Sequence, residues 1–62
     1  MSQQDLIEMC NDAITEGRRL ELRLKKDPPA DMPKGFLLEE DKGKGRLYEF
    51  NPWKVKEWAM RK

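Results

Sequence analysis

Apolar positions along the chain fall into periodic segments separated by proline- and glycine-rich stretches. In the first segment Leu6, Cys10, Ala13, Gly17, Leu20 and Leu24 follow one another at intervals of four, three, four, three and four residues. That spacing draws a stripe down one side of a helix. Ser2 suits the N-cap with Asp5 three residues on, and acids fill the first turns, where they complement the helix dipole. Arg23, Lys25 and Lys26 stand where the end of such a helix favours cations. Asp27-Pro28-Pro29 then stops it, because a residue before proline avoids the α region. The pattern predicts a helix over 3–26. A second reading covers its last part: Leu20, Leu22 and Leu24 alternate with Glu21, Arg23 and Lys25, which is strand period, and Gly17 stands before them as a break. The continuous helix is favoured because 18–26 hold no β-branched or aromatic residue. A single glycine inside a helix costs only about 1 kcal/mol.

Residues 27–35 carry three prolines and read as a stiff, extended linker. Residues 36–50 read as a β-hairpin around the glycines at 43 and 45. Phe36 and Leu38 share one face of its first strand, and Tyr48 and Phe50 one face of the second. These four are the expected core face. Asn51 as N-cap and Pro52 at the first helical position open a short helix over 52–61. It carries Val55, Trp58, Ala59 and Lys62 on one face, and Trp53 and Met60 on another. The expected fold is a single α+β domain in the order α-β-β-α, with a further strand at 20–26 as its variant.

Composition narrows the chemistry. A chain of 62 residues buries only about 60% of the surface its unfolded form exposes. Cys10 is the sole cysteine and histidine is absent. An intramolecular disulfide is therefore excluded, and a structural zinc site has no usual ligand set within one chain. A lone thiol and the lack of a long apolar run place the protein in the cytoplasm by expectation, away from membranes. General acid–base catalysis lacks its commonest group. Cys10 lies on the apolar stripe beside Glu8 and Asp12, where a thiolate is disfavoured, so it reads as a buried thiol. Glu39, Glu40 and Asp41 read as a solvated strand end, and Gly43-Lys44-Gly45 as a turn rather than a phosphate loop. No catalytic, cofactor-binding or metal-ligating residues are expected, and no enzyme.

Net charge is +1, yet the charges come in blocks. Residues 1–17 hold Asp5, Glu8, Asp12 and Glu16 with no base; 18–26 hold five bases against Glu21; 27–41 hold Lys34 against five acids; 42–62 hold seven bases against Glu49 and Glu57. Three surfaces emerge as binding candidates. Arg18, Arg19 and Arg23, with Lys25 and Lys26, form a basic helix end. Lys42, Lys44 and Arg46 form a basic hairpin tip of the kind that tracks phosphates. Both of these also read as solvated charge that keeps the chain dispersed. Trp53 and Met60 form the third surface. Trp53 reads first as a structural residue packed at the hairpin–helix junction beside Phe50, because so small a domain has few large side chains; the alternative is exposure as an anchor, a role in which tryptophan is enriched.

Met32-Pro33-Lys34-Gly35, a hairpin with Gly45-Arg46, and Asn51-Pro52 leading into Val55-Lys56-Glu57-Trp58 resemble small phage and prophage proteins. The start Leu6-Ile7-Glu8-Met9-Cys10 and the stretch Glu16-Gly17-Arg18-Arg19 share in that resemblance. More loosely, Pro33-Lys34, the basic run from Lys42 to Arg46, and Trp58 are similar in order to phage excisionase and AlpA-type regulators. Those regulators carry a helix-turn-helix ahead of the Pro-Lys segment, where this chain has Asp27-Pro28-Pro29. The resemblance implies a bacterial or phage setting. The expected function is a non-enzymatic interaction module binding a host or phage protein through Trp53 and Met60. The alternative is DNA binding through the hairpin tip and basic helix end. A homodimer through the apolar stripe of the first helix fits either.

Overall fold

The computed structural model describes residues 2–41 and 45–62, with side chains described for all of these except 40 and 41. Its order is α1 (Gln3–Glu16), β1 (Leu20–Leu24), β2 (Phe36–Asp41), β3 (Gly45–Phe50) and α2 (Pro52–Met60). The expected class, α+β, holds, and the chain adds a strand to the α-β-β-α outline.

The helix expected over 3–26 ends at Glu16. Ser2 caps its start, the Oγ accepting from the Asp5 N–H at 3.2 Å. Its end is set by Gly17, at φ +68° in the left-handed region, which costs glycine nothing and other residues strain. The Gly17 N–H donates to Ile14 O at 3.2 Å and the Arg18 N–H to Ala13 O at 3.0 Å. This pair of bonds is a Schellman cap, which satisfies carbonyls that a terminating helix leaves open. Gly17 is thus a terminator rather than a tolerated interior glycine. Arg23, Lys25 and Lys26 lie beyond the helix, with no dipole to complement.

The strand reading prevails for Leu20–Leu24 because of what it pairs with. The sheet order is β1-β3-β2, both pairs antiparallel. Leu20 lies opposite Phe50, Leu22 opposite Tyr48 and Leu24 opposite Arg46. Residues directly opposite one another share a face. Leu20, Leu22 and Phe50 are buried on the inner face with Cys10 and Ala13 of α1, Val55 and Ala59 of α2, and Met32. Burying a large side chain of this kind contributes about 1.5–3 kcal/mol. That gain outweighs the tenths of a kcal/mol by which local propensity favours helix.

The expected core face is correct for β3 and wrong for β2. Tyr48 and Phe50 face inward, but Phe36 lies opposite Glu49 and so on the outer face. Leu37 is the residue opposite Tyr48, and a bulge between Leu37 and Glu39 makes Leu38 the extra residue. Phe36, Leu37 and Leu38 are 68%, 52% and 46% exposed. Strict alternation across the hairpin failed because a bulge breaks the two-residue period.

The proline-rich segment does more than link. The Met32 N–H donates to Pro29 O at 3.0 Å, and the Met32 side chain is buried in the core. Gly35 lies so close to the Phe50 ring that a Cβ there would run into it. Asn51 and Pro52 open α2 as expected, with Asn51 Oδ1 accepting from the N–H groups of Trp53 and Lys54 at 3.0 and 3.4 Å.

Candidate functional site

Helix α2 has two unlike sides. Val55 and Ala59 are buried and Trp58 is half-buried against the core. Trp53 and Met60, seven residues apart, lie two turns from one another on the other side. They are 64% and 65% exposed. The structural reading favoured for Trp53 is therefore wrong: Val55 and Ala59 already fill the inner side of α2, and Trp53 lies on the surface. Together with Lys56, Glu57 and Arg61 they line a shallow depression of about 370 Å³. Arg61 pairs with Glu57 at 2.5 Å, one helical turn away, which orders that rim without neutralising Lys56. The arrangement is an apolar centre with a mostly basic border.

The basic candidates are scattered by the fold. Arg18 pairs with Glu16, Arg19 with Glu49 at 3.2 Å, and Arg46 with Asp27 at 3.4 Å. Arg23 donates to Gly45 O at 3.5 Å. Exposed pairs of this sort contribute about 0–1 kcal/mol each, yet they interleave acid with base where a phosphate would need base alone. Lys42 and Lys44 lie outside the described residues. Lys25, Lys26, Asp27 and Arg46 border a polar depression of about 350 Å³ at the end of β1. Asp27 was read from the sequence only as part of the Asp27-Pro28-Pro29 stop. It accepts from both Tyr48 Oη, at 3.1 Å, and Arg46, and so ties the start of the linker to β3.

Cys10 is buried, and burial pushes its thiol pKa up, offset in part by the charge of Lys56. A thiol so placed stays protonated at neutral pH and is a poor nucleophile. Asp31 is held below the usual carboxylate range, first by its hydrogen bond from Lys62 and then by the nearby Trp58 indole. The indole Nε1 is nonetheless buried without reaching hydrogen-bond geometry to any acceptor among the described residues. Lys62 also sits 5.1 Å from the Trp58 ring centroid, a cation–π distance. An apolar cavity of about 250 Å³ lies between the start of α1, β1 and α2, walled by Leu6, Leu22, Leu24, Met32 and Trp58. Gln3 closes one side by donating to Ala59 O.

Among the described residues no cluster of His, Cys, Asp or Glu is placed to hold a metal ion. No described helix is long and apolar enough to cross a membrane. The stripe residues Leu6, Cys10 and Ala13, to which a second copy through helix 1 was expected to add, pack within the chain's own core. The sequence missed the exposed Phe36-Leu37-Leu38 stretch, although a run without alternation was its available signal. No protein-family model, curated protein or solved structure matches this chain, so its own fold and surfaces carry the functional reading.

Proposed function

We propose that the chain is a non-enzymatic protein-interaction module, of the small phage accessory type its sequence resembles, which binds a host or phage protein through the outer face of α2. One observation carries this reading: Trp53 and Met60 stand exposed together on the side of α2 turned away from Val55 and Ala59. A small domain has few large side chains with which to build a core, and leaving a tryptophan outside it forgoes burial that would stabilise the fold. Recognition by another surface offsets that loss, because aromatic anchors supply a disproportionate share of interface energy. The basic border suits a partner with an apolar pocket rimmed by acids.

The DNA alternative has weaker support, since Arg18, Arg19 and Arg46 are each engaged by an acid. The test is affinity capture from bacterial lysate with wild type, Trp53→Ala and Met60→Ala, quantified by mass spectrometry. Truncating a hot-spot residue costs about 2 kcal/mol or more, some thirtyfold in affinity by the usual conversion of about 1.4 kcal/mol per decade. A protein recovered by wild type and lost with Trp53→Ala is expected. Equal recovery by wild type and variant, or none by either, would remove the α2 face from consideration.

A further inference from the structure

The apolar cavity between the start of α1, β1 and α2 is separate from the outer face of α2, since neither Trp53 nor Met60 borders it. Protein interiors close up spaces larger than a water molecule, because side chains that face a gap lose dispersion contacts. Here Leu6, Leu24 and Trp58 stay only half-buried around such a space, in a chain with few large side chains to spare. An engineered apolar cavity of about 150 Å³ stays free of water and binds benzene. At about 250 Å³, this one has room for a ring with a short substituent.

Three polar side chains also border the cavity: Ser2, Gln3 and Lys62. The Ser2 Oγ caps α1 through the Asp5 N–H, and the Gln3 amide donates to Ala59 O. Lys62 is placed differently. Its ammonium lies 5.1 Å from the centroid of the Trp58 ring, one of the walls, and is paired with Asp31. An ammonium carries three N–H donors, so the pair balances the charge without using every donor. A ligand carboxylate would meet Asp31 as well as Lys62, and a ligand cation would meet Lys62. A neutral acceptor oxygen takes a further N–H and leaves the ion pair in place.

We propose that this cavity binds a small neutral molecule with a ring or short alkyl body and one carbonyl or hydroxyl oxygen. The body lies among Leu6, Leu24 and Trp58, and the oxygen accepts from Lys62. Small-molecule sites are generally built this way, from apolar walls and a few polar groups that fix orientation. The proposal stands or falls independently of the reading given for the outer face of α2.

Titration of the ¹⁵N-labelled full chain with acetophenone, followed by amide and indole shifts, tests it. Ethylbenzene, which lacks the acceptor, and benzoate, which adds a charge, are the matched comparisons. Acetophenone should saturably shift the amides of Leu6 and Leu24 and the Trp58 indole N–H, with a dissociation constant of about 1 mM or tighter, the weak end of the affinity scale. Ethylbenzene and benzoate should bind about tenfold more weakly, the factor that a hydrogen bond from a charged donor supplies. Lys62→Met keeps the stem and removes the donor, so acetophenone should fall to the level of ethylbenzene while ethylbenzene is unchanged. Leu6→Trp fills the cavity from a half-buried position and should abolish binding of both, with circular dichroism as the control for folding. Should that variant unfold, Lys62→Met carries the test alone. The proposal is overturned if acetophenone gives no saturable shift, if its shifts centre on Trp53 and Met60, if benzoate binds as tightly, or if Lys62→Met leaves its affinity unchanged.

Discussion

At Gly17 a single residue decides between two secondary structures. An interior helical glycine replaced by alanine gains about 0.5–1 kcal/mol of stability. A capping glycine at φ +68° behaves the opposite way, because an L-residue in the left-handed region costs about 1–2 kcal/mol. Gly17→Ala is therefore expected to destabilise, read as a lower urea midpoint at unchanged slope. A rise in the midpoint would argue for the continuous helix. Asp31 makes a second prediction. Its folded pKa is lowered, chiefly by Lys62, so the unfolded state binds the proton more readily. The contribution is present above the ordinary carboxylate range and is lost as pH falls through the folded value. The pair is exposed and screened, so the effect is small. The difference in stability between wild type and Asp31→Asn should shrink on acidification and on adding salt, as followed by denaturation.

Among the elements, α2 was the most legible in the sequence. Asn51 and Pro52 act through bonds to their immediate neighbours, and local chemistry of that kind needs no knowledge of the rest of the chain. The hairpin at 36–50 was legible for the same reason, but its register was not. Register depends on which inner-face residues meet, and the bulge at Leu37/Glu39 shifts β2 by one residue against β3. The two faces of α2 separate stability from recognition. Trp53→Ala should leave the unfolding free energy within about 0.5 kcal/mol of wild type, as surface substitutions usually do, while reducing partner recovery. A large loss of stability would instead place Trp53 in a structural role. The two members of the site, Trp53 and Met60, could be read as sharing a helix face, but their exposure could not. It followed only once Val55 and Ala59 were seen to fill the space beneath the sheet.

For the whole molecule the margins are narrow. A chain of this length is expected to hold about 3–9 kcal/mol of net stability at the usual per-residue value. Leu22 is among its few fully buried large side chains. Leu22→Ala should cost about 2–5 kcal/mol, enough to unfold much of the population, as measured by equilibrium denaturation. Such sensitivity follows from a core built by one or two buried core side chains from each of α1, β1, β3 and α2, with Met32 of the linker, rather than by a deep apolar layer. The same scarcity explains why Phe36, Leu37 and Leu38 remain outside. The two helices and the linker cover β1 and β3, and the packing leaves little of the chain to cover β2.

The amino-acid order on its own was enough for the α+β class, the caps at Ser2 and Asn51, the hairpin, and the exclusion of a disulfide or a histidine ligand within these 62 residues. Each of these is settled by residue chemistry or by contacts within a few positions. The fate of 20–24, the exposure of Trp53 and the open edge of β2 were decided only in three dimensions. Leu20, Leu22 and Leu24 satisfy a helical stripe and a strand face equally well, and it is β3, more than twenty residues further along, that makes one of those faces the buried one.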